Sequence, residues 1–453
     1  MPDDNTTHRR AFLKVTGVTG VAALAGCTGG GGGGGGEETT SGGEETTSAD
    51  ESTPTPTDTP TATESSGGSG PISMGSIMPI TGALSAYGSG MQQAANLAVQ
   101  NINDAGGILG GREIQITNKD SGTKPSNAIQ KYNSLVNEND IVGFVGAASS
   151  GVSVPIAQKV HDDKVMQVSH ASTTPALSEI GYGSDGEPPK YFARTAPNDG
   201  QQGIVMARIM QNSEFIDADT AAFLHVANPY GKGLAQRAKE AFEGETLQLV
   251  PYGKKTTDYS STLDKLHAGD PDAIGFVGYP GNGKTILQQW SQGGYGTESS
   301  DWVLSEGLNS NEFLQSNSSI TASMYLASPD PEATEGASVF EDRIGEANTL
   351  FAAHAYDAIV LQALAMQQAG EASGTAIAEN IQSVSAGDGT TVTVGELETA
   401  ISELEAGNAI NYQGASSPVN LNDSLEPLNR FAILQIQDDG TKTSLKQIPR
   451  SEF

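Results

Sequence analysis

Short apolar runs alternate with segments of helical periodicity along most of this chain, and few folds other than a parallel sheet flanked by helices accommodate that rhythm. The segment 72–80 reads as a buried strand, after which Met91, Ala94, Ala95, Ala98 and Ile102 mark one face of a helix that stops at Asp104-Ala-Gly-Gly. A strand near 114–116, a helix over 128–136 and the apolar run 141–146 continue the pattern. After 192–199 it restarts, with strands at 221–226, 247–250, 273–277 and 302–304 and helices at 234–242, 260–267 and 286–292. The restart predicts an α/β fold of two doubly wound lobes in series. Beyond Pro329 a long Ala-rich helix over 350–369 and mixed segments to Phe453 are too few for a third domain. They are assigned back, so that 71–199 with 330–418 make one lobe and 200–329 with 419–453 the other.

The first lobe carries two strand ends rich in hydroxyls. The run 141–146 breaks into Ala147-Ala-Ser-Ser150-Gly, and the strand 165–168 ends in Ser169-His-Ala-Ser-Thr173-Thr-Pro175, where a proline suits the opening of a helix. In a doubly wound sheet both turns emerge at the carboxyl edge, where free N–H groups and a helix dipole can hold a carboxylate or phosphate. The alternative is that these residues merely cap helices.

Charge restricts the partners. Asp and Glu number 54 against 24 Lys and Arg, a net −30 spread along the whole chain, which argues against nucleic acid or anionic lipid and suits a surface hydrated in concentrated salt. The one cysteine, Cys27, excludes a disulfide framework and a thiolate zinc cluster. The histidines show no metal spacing, and Ser150 and Ser172 sit in no G-x-S-x-G elbow, so neither metal, cofactor nor hydrolase triad is expected.

Cys27 has a place of its own. Arg9-Arg10 precede a short, diluted apolar region that ends in Leu24-Ala-Gly-Cys27. The first part resembles a twin-arginine export signal and the second a lipobox, which implies cleavage before Cys27 and lipidation of its thiol. Residues 28–70, with a glycine run, Glu-Glu-Thr-Thr repeats and Thr-Pro-Thr-Pro-Thr, cannot bury a core and read as a tether. The expected product is exported and anchored to the outer face of the cell membrane.

One motif competes with a binding function. Gly278-Tyr-Pro-Gly-Asn-Gly283-Lys284-Thr285 fits the phosphate-loop pattern of an NTPase after a strand and before a helix. Against it stand Tyr279 and Pro280, which stiffen the loop, and the lack of an obvious Mg²⁺ partner other than Glu306. Tyr87, Tyr230 and Tyr279 all follow strands, as binding aromatics or as turn anchors.

The run Ile77-Met-Pro-Ile-Thr-Gly-Ala-Leu-Ser-Ala-Tyr87-Gly, followed by Ile102-Asn-Asp-Ala-Gly-Gly-Ile-Leu-Gly-Gly-Arg112, resembles the start of the branched-chain amino-acid-binding proteins (Leu/Ile/Val-binding-like) of ABC transporters, here of haloarchaeal type. Later landmarks fall in the same order: Val145 to Ser150, Ser169 to Thr173, Asn228-Pro-Tyr230-Gly, Gly278-Tyr279 and Ser305-Glu306-Gly307. The resemblance implies periplasmic-binding-protein lobes of type I, joined by a hinge of three crossings and closing on a ligand, with permease subunits as partners and no catalysis. It implies that Ser150, Ala171 and Thr173 hold an amino acid's α-carboxylate and part of its ammonium. Glu306 would pair with the ammonium, and Tyr87 and Tyr279 would be cleft aromatics. Some members carry a cysteine pair where Thr123 and Ser149 stand here. A binder of short amides or urea on the same scaffold is the alternative.

Overall fold

A computed structural model describes residues 70–295, 300–330 and 334–453. The expected signal (1–27), with Cys27, and the expected tether up to residue 69 lie outside the described residues. The first sheet is wholly parallel, with strands β1 (Ile72–Met78), β2 (Ile114–Asp120), β3 (Gly143–Gly146), β4 (Met166–Ser169) and β5 (Phe192–Arg194) in the order β2-β1-β3-β4-β5. In the second, β6 (Thr220–Val226), β7 (Glu245–Tyr252), β8 (Ala273–Val277), β9 (Asp301–Ser305) and β10 (Tyr325–Pro329) are again parallel, in the order β10-β9-β8-β6-β7. Read from their own first strands, the two sheets share one winding. Each reverses direction beside its first strand, between β1 and β3 and between β6 and β8, and a crevice opens at the carboxyl ends there.

The last quarter of the chain serves both lobes. Strands β11 (Thr390–Thr393) and β12 (Ile410–Gln413) form a separate parallel pair, while β13 (Phe431–Ile436) and β14 (Lys442–Ile448) add antiparallel to the edge of the second sheet beyond β10. The chain thus passes between the sheets three times, after β5, after β10 and before β13. The helix Ala352–Ala369 is buried on nearly all sides, packed against the helix Ser85–Asp104 and the first sheet. Small alanines allow that close approach, and the buried Asp357 carboxylate is repaid by four donors: Tyr412 Oη at 2.9 Å, the Ala415 and Ser416 amides at 2.8 Å and Ser416 Oγ at 2.6 Å. That cluster fixes where the third crossing leaves the first lobe.

Local signals explain the helix starts. Asn228 caps the helix Pro229–Ala241 by accepting from the Gly231 amide at 2.8 Å, with a proline in the first position, where no donor is lost. The expected helix at Pro175 is instead a single 3₁₀ turn, Pro175–Glu179. It ends because the chain turns back through Gly181, whose φ of 101° only glycine adopts readily.

Candidate functional site

The carboxyl edges of the two sheets face each other, and the residues that follow the strands line one small cavity between the lobes. From the first lobe come Leu84, Tyr87 and Met91 after β1, Ala148 and Ser150 after β3, and Ala171 after β4. From the second come Tyr230 after β6, Tyr279 after β8, and Glu306 and Gly307 after β9. Leu350 and Phe351, ahead of the helix Ala352–Ala369, close one side. Five of the six ligand residues expected from sequence therefore meet: Tyr87, Ser150, Ala171, Tyr279 and Glu306. Thr173 lies just behind them, its hydroxyl buried and without a hydrogen-bond partner. The space is only about 20 Å³, whereas a cavity that takes a benzene-sized molecule is about 150 Å³. The lobes are closed, and they must part to admit a ligand.

Direct bonds hold the closure. Tyr87 Oη donates to the Gly307 carbonyl at 3.2 Å, and Thr174 Oγ1 donates to the Pro229 carbonyl at 3.2 Å. Ser149 Oγ and Tyr279 Oη lie 3.1 Å apart, so this serine does not cap the helix it precedes but reaches the other lobe. Tyr279 is stacked on Tyr230 with centroids 5.3 Å apart and planes 13° from parallel. The other hydroxyls tie the two turns of the first lobe together. Ser169 and Ser172 both donate to the Ala147 carbonyl, at 2.7 and 3.0 Å, and Ser153 and Ser172 are 2.7 Å apart. Ser150 Oγ accepts from the Thr174 amide at 3.3 Å and also faces the cavity. Structural bracing accounts for most of the hydroxyls; Ser150 braces and also lines the cavity, at the first turn of the helix Ser150–Ala157.

The opposite wall is acidic. Glu306 is 3% exposed, and burial raises its carboxyl to about 7 even though Gln202 and Tyr230, whose Oη donates at 3.0 Å, favour the charged form. Asp199, at the start of the helix Asp199–Gln211 just past the first crossing, is a second acid that sequence reading passed over. It is fully buried with neither oxygen hydrogen-bonded, and burial together with the charge of Glu306 lifts its pKa well above the ordinary value. Its amide donates to the Thr173 carbonyl at 2.8 Å, which ties this acid to the hydroxyl turn. Nothing in the local sequence marks Asp199, because a helix-opening Asp after Asn198 is also an ordinary first-turn acid. Leu84, Met91, Leu350 and Phe351 were missed for a similar reason, since each matches a core pattern.

The phosphate-loop motif does not fold as one. The helix Pro280–Gln292 begins two residues after Gly278, so Gly283, Lys284 and Thr285 lie within it, and a side chain at Gly283 would collide with Leu308 and Phe313. No loop is left to wrap phosphates. Among the described residues no group of three His, Cys, Asp or Glu side chains could hold a metal, and no helix is long and apolar enough to cross a membrane.

Two lobes of one winding, closed on a cavity with Ser150 on one wall and Glu306 on the other, have the architecture of a receptor that closes on a small ligand. The chain belongs to the periplasmic binding protein family, which it matches over residues 71–399. That is a family of extracytoplasmic solute-binding receptors, not of enzymes. It is 34% identical to the chemotactic signal transduction system substrate-binding protein BasB of Halobacterium salinarum, over 82% of this chain and 89% of that protein. It is 25% identical to the leucine-, isoleucine-, valine-, threonine- and alanine-binding protein of Pseudomonas aeruginosa, over 67% of this chain and 80% of the relative. In fold it is similar to the leucine-binding protein LivK of Thermotoga maritima, at TM-score 0.70 and 19% identity over 84% of this chain and all of the other. The isoleucine complex of LivJ from Streptococcus pneumoniae gives TM-score 0.66 and 22% identity, covering 84% and 99%.

Proposed function

We propose that this receptor binds a small amino acid, branched-chain or otherwise apolar, and delivers it to the permease subunits of an ABC importer. The observation that carries the reading is the polarity of the cavity: Ser150 and helix N–H groups on one wall, Glu306 with Tyr230 on the other, and Leu84, Met91, Leu350 and Phe351 between. A zwitterion leaving water needs donors for its carboxylate and an acid for its ammonium, and an apolar side chain needs the remainder. In this reading Ser150, Ala171 and Thr173 hold the carboxylate end, Glu306 and Asp199 neutralise the ammonium, and Tyr87 and Tyr279 close over the ligand from either lobe. The named relatives that bind branched-chain amino acids support the side-chain class, and the haloarchaeal relative supports a second use, in chemotactic signalling.

Calorimetric titration with a panel of amino acids, short amides and urea tests this. Micromolar or tighter binding of leucine, isoleucine or valine is expected. Binding of amides or urea with no amino-acid signal would replace the ligand class.

A further inference from the structure

The ligand cavity shares a wall with a larger space. Leu350 and Phe351 line both, with the closed cavity on one side and, on the other, a chamber of about 470 Å³. The chamber lies between the helix Glu335–Ile344, the start of the helix Ala352–Ala369 and the second crossing at Pro329 and Asp330. The wall is one layer of side chains thick. Its base is held, since Thr349 Oγ1 donates to the Tyr87 carbonyl at 3.2 Å. Phe351 itself has a left-handed φ of 63°, rare for a bulky residue, and its ring stands edge-on to His354 with centroids 5.0 Å apart. His354 is buried and neither of its ring nitrogens has a hydrogen-bond partner. A buried imidazole left this way lacks a partner that a ligand atom can supply.

The lining of the chamber sets the chemistry it would accept. Among the described residues it includes the carboxylates Asp330 and Glu341 and the polar side chains of Ser338 and Asn348, and no Lys or Arg. Asp330 is engaged by Arg430 at 2.8 Å, which leaves Glu341 as the other acid of the lining. The closed cavity, at about 20 Å³, is smaller than a leucine side chain, and space for a longer one must come from parting of the lobes or from displacement of a wall residue. Leu350 and Phe351 line both spaces and so have open volume behind them.

We infer that Phe351 is a displaceable partition, and that the receptor also takes amino acids with long side chains ending in hydrogen-bond donors, whose tails pass it into the chamber beside His354 and Glu341. This rests on the amino-acid reading above and extends its side-chain class from compact apolar to long and donor-ended. Backbone groups of the ligand stay at Ser150 and Glu306, while the ring of Phe351 turns off His354 and frees the imidazole to accept.

Calorimetry on the full chain with leucine, glutamine and arginine tests it. Wild type should bind arginine within about tenfold of leucine. Ser338→Trp, at an exposed position on the chamber rim, should weaken arginine at least tenfold and leave leucine within twofold. Should Ser338→Trp fail to fold by circular dichroism, Glu341→Gln serves, with arginine weakened about tenfold and leucine unchanged. Wild type that binds leucine but neither arginine nor glutamine at millimolar concentration overturns the inference, as do equal losses for both ligands in the variants. No binding of any amino acid would instead remove the amino-acid reading itself.

Discussion

Asp199 and Glu306 are both buried, and the charge of Glu306 acts on Asp199; two carboxylates kept from water and near each other cannot both ionise cheaply. Burial raises both, Glu306 to about 7, and for Asp199 the charge of Glu306 adds to it. A folded-state pKa above the ordinary carboxylate value means that the ligand-free protein gains stability from protonation below about pH 4.5. That contribution is lost as the pH rises through about 7. An ammonium reverses the balance, because it supplies the missing counter-charge only when the acid is ionised. Apparent affinity for an amino acid should therefore rise between pH 5.5 and pH 8, by up to about tenfold per unit below 7, with proton release visible by calorimetry in two buffers. Affinity that is flat across this range would remove Glu306 from the ammonium site. Glu306→Gln should cost about 3 to 5 kcal/mol of binding, at least a hundredfold, by leaving a buried cation without the acid that lines the cavity. Ser150→Ala, which removes one bond to a charged group among several, should cost about 1.5 to 3 kcal/mol. Equal effects of the two substitutions in titration would contradict this division of labour.

At the scale of elements, the turns and crossings form one bonded unit. Arg194, at the end of β5, is fully buried, pairs with Glu426 on the third crossing, and donates to the carbonyls of Ser172 and Thr174 at 3.2 and 2.9 Å. It thereby joins the first crossing, the third crossing and the turn that carries Thr173. Asn198 donates to Glu426 as well, at 2.9 Å, and although burial opposes it, these partners hold the Glu426 carboxyl below its ordinary range. Glu426→Gln leaves a buried guanidinium without its counter-charge and should destabilise the protein by about 3 to 5 kcal/mol in urea unfolding. Ligand affinity should fall with it, because the Thr173 turn loses its support. A variant as stable as wild type would mean that solvent or another acid reaches Arg194.

For the whole molecule, charge sets the conditions under which the lobes stay compact. An acid excess of 54 − 24 = 30 repels itself, and at 0.01 M salt the Debye length is about 30 Å, so most of the surface contributes. The melting temperature should rise steadily from low to molar salt. A flat profile would show that the excess is not a salt adaptation. Residues 1–69 lie outside the described structure, and for them Arg9-Arg10 and Cys27 support a proposal of twin-arginine export and lipid anchoring. Cys27→Ala should move the protein from the membrane fraction to the medium, and unchanged retention would exclude a lipid anchor at this cysteine.

The alternation of strand and helix, the restart after residue 199 and the hydroxyl-rich turns were legible in the chain because each depends on neighbours a few residues apart, where periodicity and turn chemistry act. Tyr87, Ser150, Ala171, Tyr279 and Glu306 could be named together only through likeness to a family, since they end or follow different strands and no local rule unites them. Local pattern alone also fits a phosphate loop at 278–285, where the chain instead forms the start of a helix. Gly283 is required by the packing of its helix on Leu308 and Phe313, not by a ligand. Three things were decided in tertiary structure alone: that Ser149 spends its hydroxyl on Tyr279 across the cleft rather than on its own helix, that Asp199 arrives beside Glu306, and that Phe351 stands between two spaces. The reason is common to all three. Burial and electrostatic coupling depend on which distant segments meet, and that is set by how the two wound sheets close on each other rather than by any stretch of sequence.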